Sequence, residues 1–237
     1  MLFRSFNAFG IASAGGAGWV LADWVHAGEA PMDLWVADIR RFSDHHRDKH
    51  WTCERTLEAY GKHYSIAFPQ EEYESGRPLL TSPLYSRLKE HGAVFGSKLG
   101  WERANWFAPK DVEPKDIYSM TSPNWTPFVA AEHKATREHV ALFDQTSFAK
   151  FELHGPDAAS LLDRLCANDV RVPEGRGVYT QMLNARGGIE CDVTVMHLEN
   201  GRYRMIIGTG FRKHDKSWIY DHIREHLQNA RVTFEDV

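Results

Sequence analysis

The sequence predicts an α+β chain, and three observations support that. Apolar residues recur at helical spacing at Trp19–Val25, Asp44–Tyr64, Thr126–Leu142 and Lys213–Gln228. Strand-like runs gather in the second half, at Phe148–His154, Val178–Asn184, Ile189–Leu198 and Tyr203–Gly208. Glycine and proline punctuate the joins between them.

Taken in order, Gly10 to Gly18 reads GIASAGGAG and is expected as a glycine-rich turn feeding the start of a helix that ends at Gly28. Such a turn leaves backbone N–H groups and a helix dipole facing a ligand, although small residues also serve close helix packing. The dinucleotide fingerprint G-x-G-x-x-G after a strand is missing. Asp44–Tyr64 is expected as a helix with Trp51, Leu57 and Tyr60 as its apolar stripe. Ser82-Pro83 begins a short helix closed by Gly92, with the proline at the first helical position. Val94 to Phe107 is strand-like, and Pro109 and Pro114 mark a linker. Thr126-Pro127 reads as a capping hydroxyl followed by a first-turn proline, with Phe128, Ala131, Ala135 and Leu142 on one apolar face. Gly155-Pro156-Asp157 opens the helix through Leu161, Leu162 and Leu165, with a carboxylate in the first turn. Residues 178–184 and 189–198 form a hairpin about a turn at Ala185–Gly188. Val232–Phe234 begins a further strand, and both ends read as cuts through a longer protein.

The expected division is 1–43, 44–118 and 119–237. With 43% hydrophobic residues the chain can bury a core. A net charge of −4 with no basic stripe excludes a nucleic-acid partner. No apolar run approaches the roughly 18 residues that cross a membrane, and Arg4 is followed by no sustained apolar core of the signal-peptide kind. Cys53, Cys166 and Cys191 are odd in number and far apart, which fits a reducing compartment rather than a disulfide framework. Eight tryptophans suit a flat cofactor, but composition alone favours a packed core.

Two groups of residues carry possible chemistry. On a continuous helix, His46, His50 and Cys53 would share one face beside Glu54 and could hold zinc. No fourth convergent ligand is evident, so no metal is expected there. In the strand after Gly188, Ile189, Cys191, Val193 and Val195 share one face, and Glu190, Asp192, Thr194 and Met196 share the other. The first set is apolar and should meet the core. The second is an ordinary wet surface if open to solvent, and a ligand wall with Asp192 as acceptor if it lines a cavity.

Phe143-Asp144-Gln145-Thr146-Ser147-Phe148-Ala149-Lys150, then Gly155-Pro156-Asp157-Ala158 and Ala167-Asn168-Asp169-Val170, resemble the opening of the aminomethyltransferase fold, the folate domain of the glycine-cleavage T-protein. Tyr179 through Leu183-Asn184 and Gly187-Gly188-Ile189 to Asp192 is the most specific match. The resemblance implies that Tyr179 lines a tetrahydrofolate pocket, that Thr194 and Met196 wall it, and that Asp192 is the catalytic carboxylate that orients the folate amine receiving a one-carbon unit and manages its proton. That family often carries two adjacent acids here. Cys191 replaces the first, so the role falls on Asp192 alone. Upstream, Gly10–Gly18, Leu21-Ala22-Asp23-Trp24, Asp33-Leu34-Trp35, Asp38-Ile39-Arg40-Arg41-Phe42, Gly76-Arg77-Pro78-Leu79, Ser82-Pro83-Leu84-Tyr85 and Gly100–Phe107 resemble the end of the flavin domain and the joining segment of dimethylglycine and sarcosine dehydrogenases. That resemblance implies FAD and tetrahydrofolate as cofactors, a small methylated amine as substrate, and Gly10, Ile11, Gly15 and Gly16 as the residues nearest FAD. The compartment it implies is the cytoplasm, or the mitochondrial matrix in a eukaryote. Two other readings stand beside it: a non-catalytic regulator of the pyruvate dehydrogenase phosphatase regulatory-subunit type, and an aminomethyltransferase without oxidase activity.

Overall fold

This computed structural model describes residues 10–226 and 231–237 of the chain. The chain divides into two compact units, Met1–Phe42 and Ser43–Val237. The described part of the first unit is helix α1 (Gly10–Ala27) followed by short 3-10 turns. The expected glycine-rich turn is therefore a correction: Gly10–Gly18 is itself helical. Glycine costs about 1 kcal/mol against alanine in a helix interior, so the helix forms against local preference. Gly28, at φ +79°, ends it as expected, its N–H bonding the Trp24 carbonyl. No described residue of α1 is buried.

The second unit opens with a 3-10 turn at Asp44–Arg47 and then α2 (Lys49–Lys62). Asp48 separates the two, because its carboxylate caps α2 by accepting from the N–H groups of His50 and Trp51. The expected single helix from Asp44 is thus broken, and His46 is on a different element from His50 and Cys53. His46 bonds the backbone of Ser43, and Cys53 is exposed. The zinc face does not form.

On α2, Glu58 holds the following loop. It accepts from the N–H groups of Glu74 and Ser75 and from the Ser75 hydroxyl, and pairs with Lys62 at 3.0 Å. Burial pushes its carboxyl up, but these donors outweigh burial and bring the pKa from 4.5 down to about 2. A depressed folded pKa contributes stability that is present above the unfolded value and lost as pH falls through the folded one. The shift corresponds to a contribution on the order of 3 kcal/mol. Acid titration followed by circular dichroism should therefore show Glu58→Gln removing a stability increment that the parent loses between pH 4.5 and about 2. Equal stability of parent and variant at pH 7 would contradict this.

Helix α3 (Tyr85–Glu90) leads through Gly92 into strands β1 (Ala93–Lys98) and β2 (Trp101–Phe107), an antiparallel pair. Their connection, Leu99-Gly100, has positive φ at both residues, the geometry that matches the twist of a two-residue hairpin. Leu80 bonds the Gly100 carbonyl and the Glu102 N–H, adding its segment to the β2 edge. Trp106 on β2 is fully buried and stacks on Phe128 of α4 (Thr126–Glu138) at 5.4 Å, forming a small core with Val94 and Ala108. Thr126 does not cap α4. The cap position is Trp125, without a side-chain bond, and Pro127 sits in the first turn. Leu142 lies past the helix end and is exposed.

The remaining chain builds a five-stranded antiparallel sheet. Strand β3 (Ala149–His154) is followed by α5 (Ala158–Leu165), β4 (Gly177–Leu183), β5 (Ile189–His197), β6 (Arg202–Ile207), α6 (Arg212–His226) and β7 (Thr233–Asp236). Sheet order is β4-β5-β6-β3-β7. The last strand pairs with β3 along its whole length, closing that edge. Asp157 does not cap α5; its carboxylate accepts from the Arg231 N–H and ties the α5 entrance to β7.

Period-two alternation decides which face of the sheet is dry. Phe151, Leu153, Met205, Ile207, Val193, Val195 and Met182 point to one side and are buried with Leu161, Leu162 and Leu165 of α5 and Ile219 of α6. Each large side chain so buried contributes about 1.5–3 kcal/mol. The opposite face carries Tyr179, Gln181, Asp192, Thr194, Met196, Arg204, Ile206, Lys150 and Glu152. No helix among the described residues is long and apolar enough to cross a membrane.

Candidate functional site

The site is the open face at the β4–β5 edge of the sheet. Antiparallel register sets Tyr179 opposite Thr194, Gln181 opposite Asp192 and Gly177 opposite Met196. Tyr179 is therefore diagonal to Asp192, within reach of a long aromatic side chain. Its hydroxyl donates to Asp192 Oδ2 at 2.8 Å. Both residues are exposed, while Thr194 and Met196 are half-buried. The structure thus places on one solvent-open face all four residues to which the resemblance gives a folate role.

Local sequence explains the geometry. The hairpin turn is held by Asn184, whose Oδ1 accepts from the N–H groups of Arg186 and Gly188, while Gly187 adopts φ +79°. A side chain at Gly188 would run into the Asn184 amide, so that position is kept small. The segment before β4 is laced to it. Ala167 N–H bonds the Gln181 carbonyl, Asn168 N–H bonds Thr180 Oγ1, and the Asn168 amide donates to the Tyr179 carbonyl. These bonds hold the Tyr179 backbone while its ring remains exposed. Gly177 carries no side chain over Met196, which leaves open surface beside the thioether and the Thr194 methyl.

Two contributors were absent from the sequence reading. Gln181 shares the Tyr179 face by period-two spacing and faces Asp192 across the strands. Asn168 acts as a positioning residue through the β4 backbone. The alternation that placed Asp192 would have found Gln181. Nothing local signals the Asn168 bond, which spans 11 residues.

Beside this site the face turns ionic. Glu152 is bound by Arg204 at 2.5 Å and by Arg202 at 3.5 Å. Arg204 and then burial act on its carboxyl in opposite senses, and the pKa is lowered. Lys150 donates to the carbonyls of Thr146 and Phe148, which orders the loop that resembles the T-protein opening. In the same loop Asp144 accepts from the Ser82 hydroxyl at 2.5 Å. Burial raises its pKa, but bonds from Ser82 and Thr146 bring it below the ordinary value.

A second concavity lies between β2 and α4, lined by Glu72, Asn105, Trp106, Asp116, Tyr118 and Trp125. Its acids already have partners: Asp116 accepts from the Trp106 indole, and Glu72 from the Ser97 N–H. It reads as a joint between segments.

The donor set on the open sheet face fits a reduced pterin. A carboxylate suits ring and exocyclic N–H donors, an exposed phenol ring offers a stacking surface, and Met196 an apolar wall. The fit to FAD on α1 is narrower. Gly10 and Ile11 open the described part of α1, and the Ile11 side chain is exposed. Gly15 and Gly16 lie mid-helix, where N–H groups bond the helix itself, so they can offer only a small, open face.

Family models match in two adjoining stretches. Residues 27–82 match the FAD dependent oxidoreductase central domain, and residues 84–237 match the GCVT N-terminal domain. Among curated relatives, 4-methylaminobutanoate oxidase (formaldehyde-forming) of Paenarthrobacter nicotinovorans is 42% identical, over 85% of this chain and 24% of that protein. Mitochondrial sarcosine dehydrogenase of Mus musculus is 36% identical, over 83% of this chain and 24% of that protein. The mitochondrial pyruvate dehydrogenase phosphatase regulatory subunit of Mus musculus is 33% identical, over 100% of this chain and 27% of that protein. The chain thus spans about a quarter of the length of these relatives. The solved structure of glycine cleavage system aminomethyltransferase T from Bartonella henselae superposes with a TM-score of 0.53 at 23% identity, over 67% of this chain and 38% of that one. At that identity the likeness establishes the fold.

Proposed function

Because this chain belongs to the family of the GCVT N-terminal domain, preceded by an FAD dependent oxidoreductase central domain, we propose that it supplies the folate-binding face of an FAD- and tetrahydrofolate-dependent amine demethylase. The observation that carries this reading is the Tyr179–Asp192 pair, hydrogen-bonded at 2.8 Å on an uncovered sheet face. When bound, FAD supplies oxidation of an N-methyl group and tetrahydrofolate accepts the one-carbon unit. The substrate class is a small methylated amine such as sarcosine, dimethylglycine or a methylaminoalkanoate. The expected compartment is the cytoplasm, or the mitochondrial matrix in a eukaryote.

The work of this chain's own residues follows from their chemistry. Asp192 would accept a hydrogen bond from the folate amine and could take up the proton that the amine nitrogen loses as it bonds to an iminium carbon. Tyr179 fixes one carboxylate oxygen and leaves Oδ1 for the ligand. Thr194 and Met196 wall one side of the ring system. Gly10, Ile11, Gly15 and Gly16 would offer the flavin the small, open face of α1.

The match to a regulatory subunit over the whole chain favours a second reading, a non-catalytic homologue. One experiment separates the two. The purified chain is mixed with FAD or with tetrahydrofolate and passed through gel filtration. The expected result is retained folate and no equimolar flavin, since no strand-linked G-x-G-x-x-G is present in the sequence. Absence of folate binding favours the regulatory reading. Equimolar flavin with amine oxidation by the chain alone would overturn the assignment of its role.

A further inference from the structure

Behind Asp192, on the dry side of β5, a second group of side chains converges. Cys191 and Asp215 are 2% and 1% exposed, and half-buried His214 neighbours Asp215 at the start of α6. The ligand atoms of Cys191, His214 and Asp215 all lie within 4.8 Å of one another. His214 Nδ1 is 2.7 Å from Asp215 Oδ1, and His214 Nε2 is 3.7 Å from Glu190 Oε2. Asp215 Oδ2 is buried and meets no hydrogen-bond partner. A buried carboxylate oxygen without a donor is costly, and burial with a neighbouring carboxylate penalises a thiolate in the same way. One cation would relieve both.

We propose that Cys191, His214 and Asp215 form a binding site for a zinc-class divalent cation, with a water as fourth ligand and half-buried Glu190 on the far ring nitrogen of His214. One sulfur, one imidazole and one carboxylate make a mixed set that suits zinc better than the all-oxygen set of calcium or magnesium. Bond lengths of about 2.0–2.3 Å put tetrahedral zinc ligands roughly 3.5 Å apart. The imidazole–carboxylate contact must therefore open and the thiol close in, each by about 1 Å or less. The Cys191 S–H bond breaks on binding, a sulfur–metal bond forms, and the proton leaves to solvent. Burial, then Asp215, hold the Cys191 thiol protonated without a metal. Burial likewise pushes Asp215 up, against the neighbouring His214 imidazole and Cys191 thiol, which pull it down. The occupied site would clamp β5 to α6 directly behind Asp192, whether or not that face binds folate.

The test uses the purified chain, loaded with zinc and then gel-filtered into metal-free buffer, with zinc measured by mass spectrometry. Cobalt(II) serves as the absorbing probe. The expected result is about one zinc per chain and a sulfur-to-cobalt charge-transfer band. Cys191→Ala should abolish the band, and His214→Gln should lower retained zinc to about a tenth of an equivalent or less. Cys53→Ser should change neither. His214 is half-buried, so its variant reports even if the Cys191 variant does not fold, and circular dichroism shows which variants are folded. A folded parent that retains no zinc and gives no band overturns the proposal. So does a band that survives in Cys191→Ala or disappears in Cys53→Ser.

Discussion

Asp192→Asn is expected to weaken tetrahydrofolate binding by about 10- to 100-fold while leaving the fold intact. A hydrogen bond to a charged partner is worth about 1.5–3 kcal/mol, and each 1.4 kcal/mol is tenfold in affinity. The amide keeps the size of the side chain and can still meet the Tyr179 hydroxyl, so the sheet has no reason to rearrange. What is lost is a carboxylate acceptor for the folate amine. Asp192 is exposed and, among the described residues, hydrogen-bonded through Oδ2 to Tyr179, so the thermal midpoint should stay within about 2 °C of the parent. Tyr179→Phe should have a smaller effect, since it frees the carboxylate without removing it. Calorimetric titration of both variants against the parent checks the order. Parent-like affinity in Asp192→Asn would remove the carboxylate from the account.

Arg77→Met is expected to be the most damaging single change to the fold outside the sheet core. Arg77 reaches Glu102 through Nε at 2.8 Å and a terminal nitrogen at 2.6 Å, and that nitrogen also donates to the Phe95 carbonyl at 2.8 Å. Glu102 is 7% exposed. Removing the guanidinium therefore leaves a buried carboxylate without its partner, which costs about 3–5 kcal/mol. For a unit of this size the midpoint falls by roughly 10 °C. The double variant Arg77→Met/Glu102→Met should recover most of the loss, because the penalty belongs to the orphaned charge rather than to the missing attraction. A single variant that is destabilised by less than about 1 kcal/mol would contradict this.

How much of this was legible in the sequence depends on how local each determinant is. The β5 alternation was readable because a sheet with one dry face imposes period two. Cys191, Val193 and Val195 are buried and Asp192 is exposed, as that period requires. Ile189, at the strand's first position, breaks the rule and is exposed because it abuts the hairpin turn. The pairing of Tyr179 with Asp192 depends on strand register, which a single sequence does not carry. Gly10–Gly18 was misread because local propensity opposes helix there and the helix forms anyway. His46 was misread because Asp48 serves as the cap of α2, which splits one periodic stretch into two elements. The cluster of Cys191 with His214 and Asp215 was invisible, since it joins a strand to a helix that begins 21 positions later.

Folate binding on the β4–β5 face is tested most directly by titrating tetrahydrofolate into the isotopically labelled chain and following backbone amide resonances residue by residue. Saturable shifts are expected, concentrated in Gly177–Leu183 and Ile189–His197, the two strands that carry Tyr179, Asp192, Thr194 and Met196. Those shifts should weaken in parallel with affinity in Asp192→Asn. No saturable shifts, or shifts centred on β1, β2 and α4 instead, would contradict it.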